Sequence, residues 1–321
     1  MSAAGPHIAI ITDDPGWHGR RLREAFATHG LTATMVSLTE CYFDLNANPS
    51  GIVIPGFENQ LPRGVFVRGV PGGTLEQVIV RLDILHALKI RGVPVYNDAR
   101  AIERSVDKAM TSFLLHHAGI PTPMTWVIED PLEASALILR ETAAGHSLVM
   151  KPLFGSQGKG LIRLSAGDAL PSPADYQGVY YLQRFVEPAS EGSHDWRILV
   201  LGGEVDSAMI RRGSHWINNV AQGALCECGI PDAVLTQLAL AATQALQMNY
   251  AGVDLIRGAD GQALVLEVNS IPAWYGLQSV TQHSIAQHLV NDFVSLMPVA
   301  PPFLGSFLGS DPPRGLTPRG V

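Results

Sequence analysis

A glycine-rich loop set between two strands constrains this chain more than any other feature. Val149-Met150-Lys151-Pro152 has strand character, Gly155-Ser156-Gln157-Gly158-Lys159-Gly160 follows, and Leu161-Ile162-Arg163-Leu164 resumes a strand. A P-loop or a Rossmann turn needs a helix after its glycines, so both are disfavoured. Glycines in this setting let backbone N–H groups close over phosphate oxygens as a flap. A plain hairpin loop is the bland alternative. Lys151 stands just ahead of the loop, and Lys108 precedes both.

A second signal lies far downstream. Glu267 and Asn269 are i and i+2 in Leu264-Val265-Leu266-Glu267-Val268-Asn269, so a strand points both to one face. Regular alternation puts Val265 on that face and Leu264, Leu266 and Val268 on the other. A Glu in so apolar a strand is costly unless it is paired or bound to a metal. Asp254, in Gly252-Val253-Asp254-Leu255-Ile256, falls on the preceding strand, and a hairpin can bring it beside Glu267. Oxygen-only ligands suit Mg²⁺, which keeps waters and takes its other ligands from phosphates. A buried ion pair to Arg197 or Arg211 is the alternative.

Lys108, Lys151, Arg197 and Arg211 are each flanked by apolar residues. Fixed cations stabilise charge that passes between phosphates and a carboxylate. Arg offers a planar fork and Lys a point charge. Any one of them reads equally as a surface cation. Their order, with the loop and the late acids, extends over about 160 residues and points to an ATP-using ligase. Asp107 reads as a helix cap or ion-pair partner, and His18, His116, His117 and His283 carry no assignment.

The first part of the chain alternates strands and helices. His7–Ile11, Thr32–Leu38, Ile52–Ile54, Val65–Val67 and Gly92–Asn97 read as strands. A helix is expected from His18 to His29, ended by Gly30. Leu75, Val78, Ile79, Leu82, Leu85 and Leu88 recur at helical spacing as one apolar face. This alternation implies a parallel α/β sheet. Next come one helix over Ala99–His117, strands at Met124–Ile128, Leu148–Lys151 and Leu161–Leu164, and a helix around Glu133–Ala143. The last third has strands at Tyr180–Val186, Trp196–Leu201, Val205–Arg211, Ala251–Arg257 and Ala263–Val268, with a helix over Asp232–Gln247. Gly202-Gly203 marks a hairpin. The proline-rich stretch from Pro298 cannot form a helix or a central strand and reads as a flexible or surface-draped tail.

Bulk properties exclude several classes. The chain has 321 residues, 46% hydrophobic and 16% charged, which fits a globular protein of two or three modules. A net charge of −7 argues against a general nucleic-acid binder. No apolar run reaches the roughly 18 residues of a membrane span. The three cysteines, Cys41, Cys226 and Cys228, are an odd, low count that fits a reducing cytoplasm. Cys226 and Cys228 have no second cysteine pair with which to hold zinc and read as ordinary thiols.

These residues resemble the ATP-grasp superfamily, and within it the RimK-like α-L-glutamate ligases, from about Asn97 to Leu296. The marks are Asp107-Lys108, Gly119-Ile120-Pro121-Thr122-Pro123, Lys151 through Gly160, Asp195-Trp196-Arg197, and Gly252-Val253-Asp254 with Glu267-Val268-Asn269. The resemblance implies an ATP-grasp α/β fold. Residues 1–98 would form a pre-ATP-grasp domain, 99–185 a central lid, 186–297 a C-terminal antiparallel-sheet unit and 298–321 the tail. It implies ATP contacts from Lys108, Lys151, Ser156, Gln157, Gly158, Arg184, Phe185, Asp195 and Asn219. Asp254, Glu267 and Asn269 would hold two Mg²⁺ ions, with Mn²⁺ as the substitute. Arg197 and Arg211 would serve the reacting acyl-phosphate. The substrates implied are a small carboxylate and an amine, L-glutamate among them, with neither nucleic acid nor membrane as partner and homo-oligomerisation left open.

Two stretches depart from the family pattern. Ser270-Ile271-Pro272-Ala273-Trp274-Tyr275-Gly276-Leu277 replaces the usual small residues before Pro-Gly, and Asn218–Ala224 blurs a Ser-Asn…Gly-Gly pattern. The opening Asp13-Asp14-Pro15-Gly16-Trp17-His18 is similar to a subgroup found beside one-carbon-carrier biosynthesis in methylotrophs, which suggests a furan or pterin cofactor precursor as acceptor. Dipeptide or D-alanine ligation, a non-catalytic nucleotide-binding protein and a structural α/β scaffold are the rival readings.

Overall fold

The structure is a computed structural model that describes residues 8–46, 50–58, 60–155, 158–188 and 194–298. Ser156 and Gln157 of the glycine loop, and the tail beyond Pro298, lie outside the described residues.

Strand β1 (Ile8–Ile11) is apolar throughout and fully buried. Helix α1 (Gly16–Thr28) starts two residues before the expected His18, with Pro15 as its N-cap at φ −62°. The pyrrolidine ring already holds the helical φ, so the chain can turn immediately. β2 (Ala33–Val36) follows. β3 (Tyr42–Phe43) and β4 (Ile52–Val53) form a separate antiparallel ribbon, so the Ile52–Ile54 segment does not join the main sheet. β5 (Gly64–Val67), α2 (Leu75–Ile90) and β6 (Val95–Tyr96) complete a four-stranded parallel sheet of order β2-β1-β5-β6.

The expected apolar face of α2 is only partly buried. Ile84, Leu85 and Leu88 are fully covered, whereas Leu75 is 73% and Ile79 46% exposed. The helix has 16 residues and β5 only 4. At about 1.5 Å and 3.3 Å per residue, such a helix outruns such a strand.

The single helix expected over Ala99–His117 is two helices, α3 (Ala99–Val106) and α4 (Lys108–His117). Asp107 breaks it. Its Oδ1 accepts from Ala109 N at 2.9 Å and Met110 N at 3.1 Å, the N-cap geometry that short acidic side chains favour over a helix interior. Lys108 thereby opens a new helix, and Asp107 is the cap that the sequence suggested.

β7 (Thr125–Ile128), α5 (Pro131–Ala143), β8 (Leu148–Lys151), β9 (Ile162–Leu164) and β10 (Tyr180–Arg184) build an antiparallel sheet of order β7-β10-β8-β9, with the glycine loop between β8 and β9. β11 (His194–Leu201) and β12 (Glu204–Arg212) are joined at Gly202-Gly203, whose φ values of 57° and 84° suit a tight hairpin. β13 (Leu225–Cys228), α6 (Ala233–Ala245), β14 (Tyr250–Arg257) and β15 (Ala263–Asn269) complete a five-stranded antiparallel sheet of order β13-β12-β11-β14-β15. β13 contains Cys226 and Cys228, so that stretch is an edge strand. α7 (Tyr275–Gln278) and α8 (Ile285–Ser295) end the described fold.

One core joins the first sheet to the last. Ile8, Ile10, Phe26, Phe66 and Tyr96 pack with Tyr250, Trp274, Leu289 and Phe293. Buried Asn97 fixes the joint. Its Nδ2 donates to the carbonyls of Tyr250 and Ser270, both at 2.7 Å, and its Oδ1 accepts from Asn249 N at 2.8 Å. On the far side, Asp206 bonds His283 at 3.1 Å and His288 at 2.6 Å, tying the start of α8 to β12. Phe293 is fully buried and meets Phe26, Phe66 and Tyr96 edge-on. Phe293→Ala should therefore lower stability by about 3–5 kcal/mol, as large-to-small core changes do. Urea unfolding checks this.

Candidate active site

The register of the five-stranded sheet sets the site's charges. Arg211 lies opposite Asp195, Arg197 opposite Asp254, and Asp254 opposite Glu267. Directly opposed side chains on one face are close enough to touch. Arg211 Nε and Nη2 donate to Asp195 Oδ1 and Oδ2 at 2.7 and 2.8 Å. Arg197 grips Asp254 through Nε and Nη2, the latter at 2.8 Å. Arg211 Nη2 also reaches Asp254 Oδ2 at 3.1 Å. The ion pairs weighed for Asp254 are thus present, with both arginines. Burial pushes Asp254 up, but the two guanidinium groups outweigh it and hold the carboxyl below its usual value. Asp195 is raised to about 6 by burial, which Arg211 only partly offsets, and the charge of Asp254 adds to the rise.

A bulge aims Glu267. Asp254 pairs with Glu267, but Leu255 pairs with Val265, leaving Leu266 as an extra residue. A bulge breaks the two-residue alternation and re-aims the side chains beside it. Val265 and Val268 are therefore both fully buried in the underlying core, while Leu266 and Glu267 both line the cleft. The regular alternation expected for this strand, with Val265 on the face of Glu267, is overturned.

The lysines come from two elements, Lys151 from the small sheet and Lys108 from helix α4. Lys108, first residue of α4, donates Nζ to the Gly155 carbonyl at 2.8 Å. Lys151, last residue of β8, is held by Gln183 Oε1 at 2.7 Å. Burial pushes the Lys151 ammonium down to about 8, the charge of Glu267 pulls it up, and Lys108 adds to the fall. Lys108 is lowered by burial and pulled up by Glu267 and Asp107. Both ammonium groups therefore sit in the field of Glu267.

These groups line one cleft that is open to solvent, the concave setting in which cofactors and small molecules bind. Its walls include Lys108, Lys151, Gly158, Arg184, Phe185, Asp195, Arg211, Asn219, Asp254 and Glu267. Arg197 and Asn269 stand beside this wall. Arg197 acts on it through Asp254, and Asn269 Nδ2 donates to the Gly252 carbonyl at 3.2 Å. The guanidinium of Arg184 turns to Glu141 at 2.6 Å. Phe185 lies under Arg163 at 3.8 Å and edge-on to Trp216 at 6.0 Å. Gly158 has φ 70°, and a Cβ there would stand 3.0 Å from Ile217 Cγ2 and 3.3 Å from Asn219 Oδ1. Only glycine lets the loop pack so closely on that segment.

Sequence reasoning passed over Gln183, Trp216, Ile256 and Leu266, which also line the cleft. Gln183 gave a signal, a polar side chain directly after the apolar run Tyr180-Tyr181-Leu182. Leu266 gave none, because only the bulge turns it outward. The donor set suits a nucleotide with its divalent cation. Apolar Phe185, Trp216, Ile256 and Leu266 can receive a base, and the ammonium groups and glycine loop can receive phosphates. Carboxylate oxygens already bonded to arginine keep a second lone pair for a metal.

A parallel α/β sheet, a small sheet bearing a glycine loop, and a larger sheet bearing paired acids and arginines define a protein of the ATP-grasp class. The sequence model of the RimK-like ATP-grasp domain matches residues 105–293. The chain is 38% identical over 234 residues to a tetrahydromethanopterin:alpha-L-glutamate ligase of Methanococcus maripaludis, covering 71% of this chain and 77% of that one. It is 36% identical over 223 residues to the ligase of the same name from Methanocaldococcus jannaschii, covering 67% and 74%. The ATP-grasp ligase PsnB, solved with a precursor variant, Mg and ADP, superposes with a TM-score of 0.71 at 19% identity, over 92% of this chain and 99% of that one. The chain belongs to the RimK-like ATP-grasp family. It is an ATP-dependent ligase.

The chain has four lysines. With ¹³C-labelled dimethyl-lysine NMR, one resonance should titrate near pH 8, charged below and neutral above, while an unperturbed lysine titrates near about 10.4. Lys151→Arg should remove that resonance.

Proposed function

We propose that the protein joins a carboxylate to an amine, adding L-glutamate to a small anionic acceptor of the pterin-cofactor type. One observation carries the ligation chemistry. Lys108, Lys151, Arg211, Asp254 and Glu267 line a single cleft, and Arg197 holds Asp254 from beside it. The names of the two archaeal relatives support glutamate and a pterin acceptor.

The chemistry balances without a side-chain nucleophile. An acceptor carboxylate oxygen attacks the terminal phosphorus of ATP, and ADP leaves. The amine of glutamate then attacks the acyl carbon, phosphate leaves, and the amine gives up a proton. Lys108 and Lys151 neutralise phosphate charge. Ser156, Gln157 and Gly158 serve as further ATP contacts, and Arg184, Phe185, Asp195 and Asn219 seat the nucleoside. Asp254, Glu267 and Asn269 would hold two Mg²⁺ ions, with Mn²⁺ as substitute. Bound magnesium supplies charge neutralisation on the phosphates. Arg211 faces the acyl-phosphate and Arg197 serves it through Asp254, and the hold of the two arginines on Asp254 and Asp195 fixes their positions before substrate arrives. The division at residues 98, 185 and 297 separates sheet, lid and acid-bearing unit. Lid closure keeps water from the acyl-phosphate. The three cysteines, all free, support a cytoplasmic setting.

Incubating the protein with ATP, Mg²⁺, labelled glutamate and cell metabolites, then reading products by mass spectrometry, tests the proposal. Products heavier by a glutamyl unit are expected. ADP release without any labelled product would count against glutamate. Lys151→Ala or Glu267→Ala should lower the rate at least about a hundredfold, as loss of a key electrostatic group does. Phosphate favours the charged form of Lys151, so ATP affinity should stay level below the Lys151 value of about 8 and weaken above it. Calorimetry across that range checks this, and Lys151→Arg should flatten the profile.

A further inference from the structure

Two stretches outside the glycine loop and the acids meet in space. Trp17 opens α1, and Pro272 to Tyr275 follow the end of β15. The Trp17 ring lies edge-on to Tyr275 at 5.1 Å and 6.4 Å from Trp274. His18 meets Trp274 edge-on at 4.5 Å, and its Nε2 accepts the Trp274 backbone N–H at 3.2 Å. Burial and the nearby Arg68 charge push the His18 imidazole down to about 4, so the ring is neutral and free to accept that bond.

Arg68, just past the end of β5, is the unusual member. Its guanidinium covers the Trp274 ring at 4.4 Å, and Nη1 donates to the Pro272 carbonyl at 3.0 Å. Its Nε is buried without a hydrogen-bond partner, as is Trp274 Nε1. Tyr250 and the neutral His18 are the side chains close enough to act on it among the described residues. Among the described residues no carboxylate pairs with it, whereas Arg197 and Arg211 are both locked to acids. A partly buried guanidinium without an anion is unfavourable by itself and well suited to receive one.

The place is beside the reacting end of the cleft. A Cβ on Gly252 would stand 2.7 Å from Pro272 Cβ and 3.2 Å from Arg197 Nη1. A Cβ on Gly276 would stand 2.8 Å from Cys226 Sγ, and Cys226 pairs with Arg211. The 272–276 segment therefore runs alongside both arginines. It also faces the C-terminal ends of the parallel strands, where α/β sheets present their ligands.

We propose that Arg68 and Tyr275 form the seat of the acceptor, an anionic molecule carrying a planar aromatic ring. Arg68 takes the anion with its planar fork. Tyr275, 61% exposed and braced by Trp17, gives the ring a face on which to stack. The inference rests on the ligase reading and names the acceptor's chemistry.

The test uses Arg68→Gln, Arg68→Lys and Tyr275→Ala in the full chain. The binding probe is pterin-6-carboxylate, followed by quenching of tryptophan fluorescence, with cyclohexanecarboxylate as the non-aromatic control. The aromatic probe should bind the wild type, and Arg68→Gln should weaken it about tenfold or more, the loss of a charge-assisted bond. Tyr275→Ala should weaken it about fivefold, the loss of one stacking contact. Arg68→Lys should recover part of the affinity. In turnover, the KM for the glutamylated acceptor should rise in Arg68→Gln while the KM for ATP stays within about twofold, a split that general unfolding would not give. Absence of probe binding to the wild type, equal binding to Arg68→Gln and Tyr275→Ala, or equal binding of the control would overturn the seat. A wild type that binds the probe yet makes no glutamylated product would instead defeat the ligase reading.

Discussion

Four buried charges hold this site in place. Arg211 with Asp195 and Arg197 with Asp254 form a row across the middle strands of the five-stranded sheet. Removing one member would leave an uncompensated buried charge, which typically costs about 3–5 kcal/mol. The row also does chemical work before any substrate arrives. It keeps Asp254 ionised beside Glu267 and holds the Arg211 guanidinium at the cleft, with that of Arg197 beside it, without ordering them anew. Pre-set charge of this kind would serve the proposed acyl-phosphate, because water cannot be allowed to do the stabilising.

The rest of the molecule brings other surfaces to that row. The small sheet delivers Lys151 at a strand end, helix α4 delivers Lys108 at its start, and both feel Glu267. The parallel sheet delivers Arg68 and the aromatic cluster around Trp274. Its position is fixed by the shared core of Phe66, Tyr96, Tyr250 and Phe293 and by the bonds of Asn97 to the Tyr250 and Ser270 carbonyls. The segment after Asn269 therefore belongs to two surfaces at once. It leads out of the acid-bearing strand and leans on the end of the parallel sheet.

Much of this was legible in the residues. Strand–loop–strand context around Gly155–Gly160 disfavoured the helix-bound phosphate loops. The polar residues at i and i+2 in β15 marked a functional strand, and Asp107 announced a helix start. What stayed hidden had a common cause. The α2 face was misjudged because coverage depends on the length of the strands beneath it. α8 was overlooked although Ile285, Leu289 and Phe293 recur on one buried face. β13 was invisible because an edge strand carrying Cys226 and Cys228 has no pattern until β12 offers it a partner.

Periodicity pointed to a parallel α/β unit in the first part of the chain, the spacing of lysines, glycines and acids pointed to nucleotide chemistry, and the ATP-grasp fold came from the family resemblance of those motifs. Periodicity and spacing did so because strand and helix periods and the ligand preferences of magnesium and phosphate are local properties. Tertiary structure decided which charges touch. The register that sets Arg197 against Asp254, the bulge that turns Leu266 and Glu267 to the same side, and the meeting of Arg68 with Trp274 all arise from pairing between distant segments. No short stretch of sequence encodes such pairing, because a shift of one residue would send every side chain to the opposite face.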